Sequence, residues 1–323
     1  MRSLLLRALL LGAVLAAVAV TLVDLIPGSS RRLADSAPGW TAVAVALELI
    51  ACASYAVLFH GVFSRSPYIL SFLRSSQIAI GELGAFAVVP TGAGGPALRI
   101  WALIRSGMPF RTVMARTVTH VPIFNLPYVL AAVLLGTAVA LHIGPGHAPT
   151  AVALAPLGVV IVAVTVTVGA TAYVRAHPSR PRAGWRGTGR EALDAVPEGL
   201  RDVPARLREP ALPLAAAGYW AGDCGVLVVA FHAVHGSAPL GVIVLAYMLG
   251  QLGSVLPLPG GVGGVEPAML GVLTASGVDL GLGAAAVVIY RFVSLGIQAV
   301  AGTVAVATLL PTLQPATSSS KPA

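Results

Sequence analysis

Residues 256–270 read LPLPGGVGGVEPAML, placing four glycines, prolines and one carboxylate between two apolar runs. Glycines let consecutive N–H groups point into one concavity, and a helix beginning at Pro267 would add its positive end. Both favour an anion such as a phosphate, which singles out Gly260, Gly261, Gly263 and Gly264. Glu266 stands just before Pro267, at the expected N-cap. Glutamate is not a preferred cap residue. It therefore reads either as a partner of the helix dipole or as a charge lining a path, coupling protons or pairing an arginine. A nucleotide-type phosphate loop is excluded, because no Lys-Ser/Thr pair follows the glycines. The plainer alternative is that Gly-Pro clusters break helices and let neighbours pack closely.

Further charged side chains fall inside apolar sequence. Arg291, after Tyr290 in VVIYRFVSLGIQ, lies well within the last apolar run. A central arginine in a membrane helix costs about 2.5–3.5 kcal/mol, so it must face protein and find a partner, with Glu266 or a lipid phosphate as candidates. Gly94 and Gly95 precede Pro96, read as the first residue of a helix, and Arg99 follows. Arg99 would either neutralise a phosphate or snorkel to the interface. Glu48, Glu82 and Asp223 are also embedded in apolar segments, where acids mark functional paths or helix–helix hydrogen bonds. His60 and His232 invite a metal reading with Cys52 and Cys224, but eight helical residues put each pair about 12 Å apart, too far to share one ion. No metal site, cofactor motif or Ser-His-Asp arrangement is expected.

The elements that position these groups must be membrane helices. The chain has 323 residues, of which 57% are hydrophobic and 10% charged, and its mean hydropathy is +0.88. Apolar runs of about 20 residues recur, each long enough to cross a hydrocarbon core. Full spans are expected at 5–26, 40–62, 121–143, 150–174, 211–235 and 281–310. Two further regions, 76–107 and 240–277, are split by Gly/Pro clusters into pieces too short to cross, so each reads as a re-entrant hairpin. The N-terminal run resembles a signal peptide, but it continues to Ile26 and is taken as an uncleaved helix.

The net charge of +8 does not describe a nucleic-acid face. Much of it lies in 175–210, with eight arginines against five acids, which reads as a cytoplasmic loop. Leu193, Val196, Leu200, Val203 and Leu207 recur there at helical spacing, suggesting an amphipathic helix on the membrane surface that Pro197 and Pro204 would break or kink. With both termini cytoplasmic, Arg65, Arg74, Arg105, Arg111 and Arg116 fall in cytoplasmic connections, and only Arg31 and Arg32 fall outside.

The chain also repeats itself. Cys52 precedes His60 by the spacing that separates Cys224 from His232, and Ser66-Pro67 and Ala238-Pro239 follow in step. ELGAFAVVPTGAGGPA (82–97) aligns with QLGSVLPLPGGVGGVEPA (251–268) once two residues are gapped. The expected fold is thus an all-α polytopic membrane protein with an inverted-topology repeat, three spans plus one re-entrant hairpin per half. The domain is 1–310, with repeats at 5–143 and 150–310, and 311–323 is a short polar tail.

At these residues the chain resembles the lysylphosphatidylglycerol synthase transmembrane family, the flippase-like domain also found alone in bacteria and archaea. The resemblance rests on PTGAGGPALR with a following RSG, on PLPGGVGGVEPA, and on YRFVSLG downstream. It departs from the family where Gly95 runs straight into Pro96 without the Glu that many members carry. A stand-alone member, lacking the aminoacyl-transferase domain of the full synthases, is expected. The resemblance implies a multi-pass protein of the cell membrane that moves a lipid or lipid-linked polar group between leaflets. Partners would be membrane lipids, either anionic phospholipid or a polyprenyl-phosphate-linked substrate, with a second copy or a separate enzyme also compatible. Arg99 and Arg291 would neutralise phosphate, and Glu266 would pair Arg291 in the empty site. The rival readings are a glycosyl- or aminoacyl-transfer component using acids such as Glu48 and Glu82, and a small-solute transporter.

Overall fold

A computed structural model describes residues 29–89, 93–140, 185–253 and 261–313, with scattered residues between 154 and 176. The expected spans at 5–26 and 150–174 lie outside these residues or are only sparsely covered by them, as are Gly260 and most of the tail. Described helices are α1 (Ser29–Ala34), α2 (Pro38–Phe63), α3 (Phe72–Val88), α4 (Gly94–Arg105) and α5 (Phe110–Ala140). They continue with α6 (Trp185–Asp194), α7 (Val196–Leu207), α8 (Ala211–Ala233), α9 (Leu240–Leu252), α10 (Val265–Ala275) and α11 (Leu280–Leu309). The protein is an all-helical polytopic membrane protein, and among the described residues four helices are long and apolar enough to cross: Pro38–Phe63, Phe110–Leu135, Ala211–Ala233 and Leu280–Leu313.

Each start has a local cause. Pro38 opens α2 where an N–H would have no partner anyway. Ser71 accepts the Arg74 N–H at the head of α3, and Asp279 accepts the Leu282 N–H at 2.9 Å at the head of α11. A long–short–short–long order occurs twice, as α2–α3–α4–α5 and α8–α9–α10–α11. Within each set the two short helices pack on one another. The longest of these four has 17 residues, about 26 Å at 1.5 Å per residue.

The third span differs from expectation. It begins at Phe110 rather than 121, so Arg111 and Arg116 belong to the first turns of α5 instead of a loop. Nothing between Phe110 and Val121 breaks a helix, and Pro122 and Pro127 are held inside it. Arg116 then donates to the carbonyls of Phe63 at 2.6 Å and Arg65 at 2.9 Å, occupying the unbonded end of α2.

The basic segment differs too. It forms two helices parted at Ala195, with Pro197 in the first turn of α7 and Pro204 inside it. Rather than lying free on a surface, α7 docks on α5, where Thr119 Oγ1 donates to the Gly199 carbonyl at 2.9 Å. Arg65 and Arg206 both bond Glu209. Burial acts to raise the Glu209 pKa, but the two guanidinium groups outweigh it and hold the carboxyl below its ordinary value.

Packing centres on α11, whose span is 72% buried. It crosses α3 at a point where backbones touch: a Cβ on Gly84 would stand 2.6 Å from Gly302 Cα and 2.8 Å from the Gln298 carbonyl. Backbone cannot yield as a side chain can. Gly84→Val should therefore destabilise the protein by about 1–3 kcal/mol or more, measured as a loss of thermal stability in detergent against a Gly39→Val control, whose added atoms meet open space. The pair α2–α8 is equally close, since a Cβ on Gly222 would lie 3.0 Å from Ala51 Cβ. Small residues of this kind let membrane helices approach in the absence of a hydrophobic drive between them. Ala87, near the end of α3, and Val262, in the second glycine loop, are buried together with Leu295 and Ala299 of α11. The tips of both short-helix pairs thus converge on one stretch of α11.

Candidate functional site

The second glycine loop is built around Glu266. The helix begins at Val265 with Gly264 as N-cap, so Glu266 is in the first turn and not the cap itself. Proline is tolerated anywhere in that turn, where N–H groups lack intrahelical partners, and so Pro267 does not mark the start. Gly261 and Gly263 adopt positive φ values of 69° and 87°, a region open to glycine. The Gly263 N–H donates to Glu266 Oε2 at 2.6 Å, and the Gly264 N–H to the Gly261 carbonyl at 3.0 Å. These two N–H groups are thus taken by the protein's own carboxylate and carbonyl. Arg291 Nε donates to Glu266 Oε1 at 2.7 Å, with the two side chains only 7% and 3% exposed. The arginine thereby fastens α11 to the loop.

The first half is arranged differently. Here α4 starts at Gly94, and Pro96 is its third residue rather than its first. A Cβ on Gly95 would lie 2.9 Å from the Glu82 carbonyl, so this glycine brings the head of α4 against α3. Arg99 does not snorkel. It is buried and pairs with Glu82 Oε1 at 3.0 Å, and its guanidinium lies 5.7 Å from the Phe63 ring centroid. Glu82 Oε2, Arg99 Nε and His120 Nε2 are buried without a hydrogen-bond partner. Unsatisfied buried polar atoms are costly in a folded chain unless something else completes them.

Of these groups Glu82 borders a cavity of about 890 Å³ whose walls come from both halves. Glu82, Gly95 and Pro96 contribute from the first half, and Asp223, Tyr247 and Gln251 from the second. Between them stand the rings of Tyr55, Phe124, Tyr128, Tyr219 and Trp220, while Leu200 of α7 closes one side. The aromatic wall is pinned by Trp220 Nε1 donating to the Phe124 carbonyl at 2.7 Å and Tyr128 Oη to that of Met248 at 3.1 Å. Pro122 also lines the cavity. Lacking an N–H, it leaves the carbonyl of Val118 without its ladder bond.

Asp223 is the most heavily bonded acid. Its Oδ2 accepts from Tyr247 Oη at 2.6 Å and Tyr290 Oη at 3.1 Å, and its Oδ1 from Ser294 Oγ at 2.8 Å. Tyr290 thus acts through Asp223 and not on the cavity directly. Glu48 sits behind, bonded by Gln298 Nε2 at 2.9 Å. Glu48 and Glu82 have separate partners, Gln298 and Arg99. His60 and His232 stand apart from the cavity: His60 bonds Ser75 Oγ at 3.0 Å, and His232 stacks on Trp40 at 5.1 Å. Among the described residues no cluster of His, Cys, Asp or Glu assembles to hold a metal ion.

Sequence reasoning missed the aromatic wall and Gln251. A signal for Gln251 existed, because it aligns with Glu82 at the head of the repeated segment, and both line the cavity. For the rings there was none, since they are spread over α2, α5, α8 and α9 and only packing unites them.

A family model described as the lysylphosphatidylglycerol synthase TM region matches residues 5–302. No curated protein matches the chain.

Proposed function

The chain belongs to the lysylphosphatidylglycerol synthase transmembrane family, and from that membership we propose that it translocates a phospholipid or lipid-linked polar molecule between leaflets. The observation that carries the reading is the cavity itself. It is large enough for a head group, its walls are mostly apolar and aromatic, and Glu82 Oε2 on its wall has no hydrogen-bond partner. Tightly paired charges around a mostly apolar chamber suit a cargo with a polar head and a lipid tail.

The site residues take revised roles. Glu82 Oε2 on the cavity wall offers an acceptor for a hydroxyl or amine on the head group, and Arg99, ion-paired with Glu82 and with its Nε–H unbonded, supplies the positive charge for its phosphate. Asp223 and Gln251 serve the opposite wall. Glu266 and Arg291, with Gly261, Gly263 and Gly264, hold the second loop in place and leave the cargo to the first. Gly94 and Gly95 allow the hairpin to close beside it. We read the two long–short–short–long sets as an inverted repeat with cytoplasmic termini, and translocation as rocking of one half against the other around the cavity.

A phospholipid carrying a photoactivatable head group tests this placement. After irradiation in reconstituted membranes, label should appear on peptides containing Tyr219–Asp223 or Leu126, both from the cavity wall. Label confined to the Glu266 loop would return the cargo to the glycines and overturn the assignment.

A further inference from the structure

Glu48 lies in the middle of α2 with 0% of its surface exposed. Its Oε1 accepts from Gln298 Nε2 and faces Cys52 Sγ at 3.7 Å, but its Oε2 has no partner. From there a chain of hydrogen bonds leads to the cavity. Gln298 Nε2 reaches Ser294 Oγ at 3.5 Å, and Ser294 Oγ donates to Asp223 Oδ1 at 2.8 Å. The close approach at Gly222, the residue before Asp223, brings α8 against α2 one turn from Glu48.

We propose that Glu48 and Asp223 form a proton-binding site which loads and unloads as the cavity changes face, supplying the coupling ion for translocation. The inference rests on the translocation reading. A proton enters from water on one side, is held on a carboxylate as the acid, and leaves to water on the other. No other bond changes.

The surroundings favour a proton over a metal cation. Of the carboxylate oxygens of Glu48 and Asp223 only Glu48 Oε2 lacks a partner, whereas hard cations gather six or more oxygen ligands. The charged and titratable groups facing the pair are few. They are Cys52 on α2, Tyr219 and Cys224 on α8, Tyr247 on α9 and Tyr290 on α11. Arg291, also on α11, is ion-paired with Glu266, and the charges that α3 and α4 bring, Glu82 and Arg99, pair with each other. Among the described residues no lysine or arginine forms an ion pair with Glu48 or Asp223. With no cation paired to either acid and Glu48 fully buried, a proton is the positive charge this hydrogen-bonded arrangement can accept.

The test is infrared difference titration of the purified full chain in nanodiscs, which reads protonated carboxyl groups and needs no transport. Wild type should show a buried carboxylic-acid band that titrates with pH and is lost in Glu48→Gln. Gln298→Leu removes the donor to Oε1 and should keep the band but shift it, which covers the case in which Glu48→Gln fails to fold. In proteoliposomes, an imposed pH gradient should accelerate lipid movement in wild type at least several-fold, and Glu48→Gln should retain only the gradient-independent rate. A band unchanged in both variants overturns the proton site. If the Glu48 band is present but wild type moves no lipid, the translocation reading fails while the proton site stands; if lipid moves with no response to the gradient, the coupling fails alone.

Discussion

Arg291→Leu should destabilise the folded protein by about 3–5 kcal/mol, because it leaves Glu266 as an uncompensated buried charge. The pair is almost fully enclosed, with a 2.7 Å contact between Nε and Oε1. Glu266 is also bonded by the Gly263 N–H. Losing the arginine therefore releases the glycine loop and α10 from α11 together. Replacing both charges at once, as Glu266→Gln with Arg291→Leu, should recover much of the loss, since the penalty arises from the orphaned charge more than from the missing attraction. Thermal unfolding in detergent measures both. A double variant as unstable as Arg291→Leu alone would mean that the arginine holds something other than Glu266.

Asp223→Asn should leave the fold largely intact and slow lipid translocation by about 10- to 100-fold. Asparagine keeps the shape, and its one oxygen can still accept from Ser294 while its NH2 donates to a tyrosine oxygen, so packing around α8 and α11 survives. What goes is the negative charge on the cavity wall. Hydrogen bonds to a charged group are worth about 1.5–3 kcal/mol, and each 1.4 kcal/mol is tenfold in rate or affinity. Measured beside Arg291→Leu, this variant separates a residue of the path from a residue of the scaffold. The first should lose transport at nearly full stability, and the second stability first.

The sequence made the scaffold readable where a single physical constraint acted. Buried charge in a membrane must pair, and that argument alone linked Arg291 to Glu266 across 25 positions. Gly/Pro clusters too close together for a full crossing foretold α3–α4 and α9–α10. The same reasoning could not name their occupants, because glycine N–H groups suit any anion and nothing in the sequence says whether the anion is a ligand or Glu266. It also placed Pro96 and Pro267 at helix starts. The first turn and a membrane helix interior both tolerate proline, so its position marks a helix boundary only loosely. The cavity was invisible for a different reason. Tyr55, Tyr219, Trp220 and Tyr247 lie on three helices with no common period, and their convergence exists only after α2, α8 and α9 have packed.

The most direct measurement is loss of fluorescence from a head-group-labelled phospholipid in proteoliposomes after adding a membrane-impermeant quencher, for wild type and Asp223→Asn, with a trapped soluble dye as control. Without translocation only the outer leaflet, roughly half of the signal, is quenched. The cavity account predicts quenching well beyond half in wild type, arrest near half in Asp223→Asn, and an unaffected trapped dye in both. Wild-type protein, folded and inserted, that stops at half for anionic, zwitterionic and polyprenyl-phosphate lipids alike would contradict it.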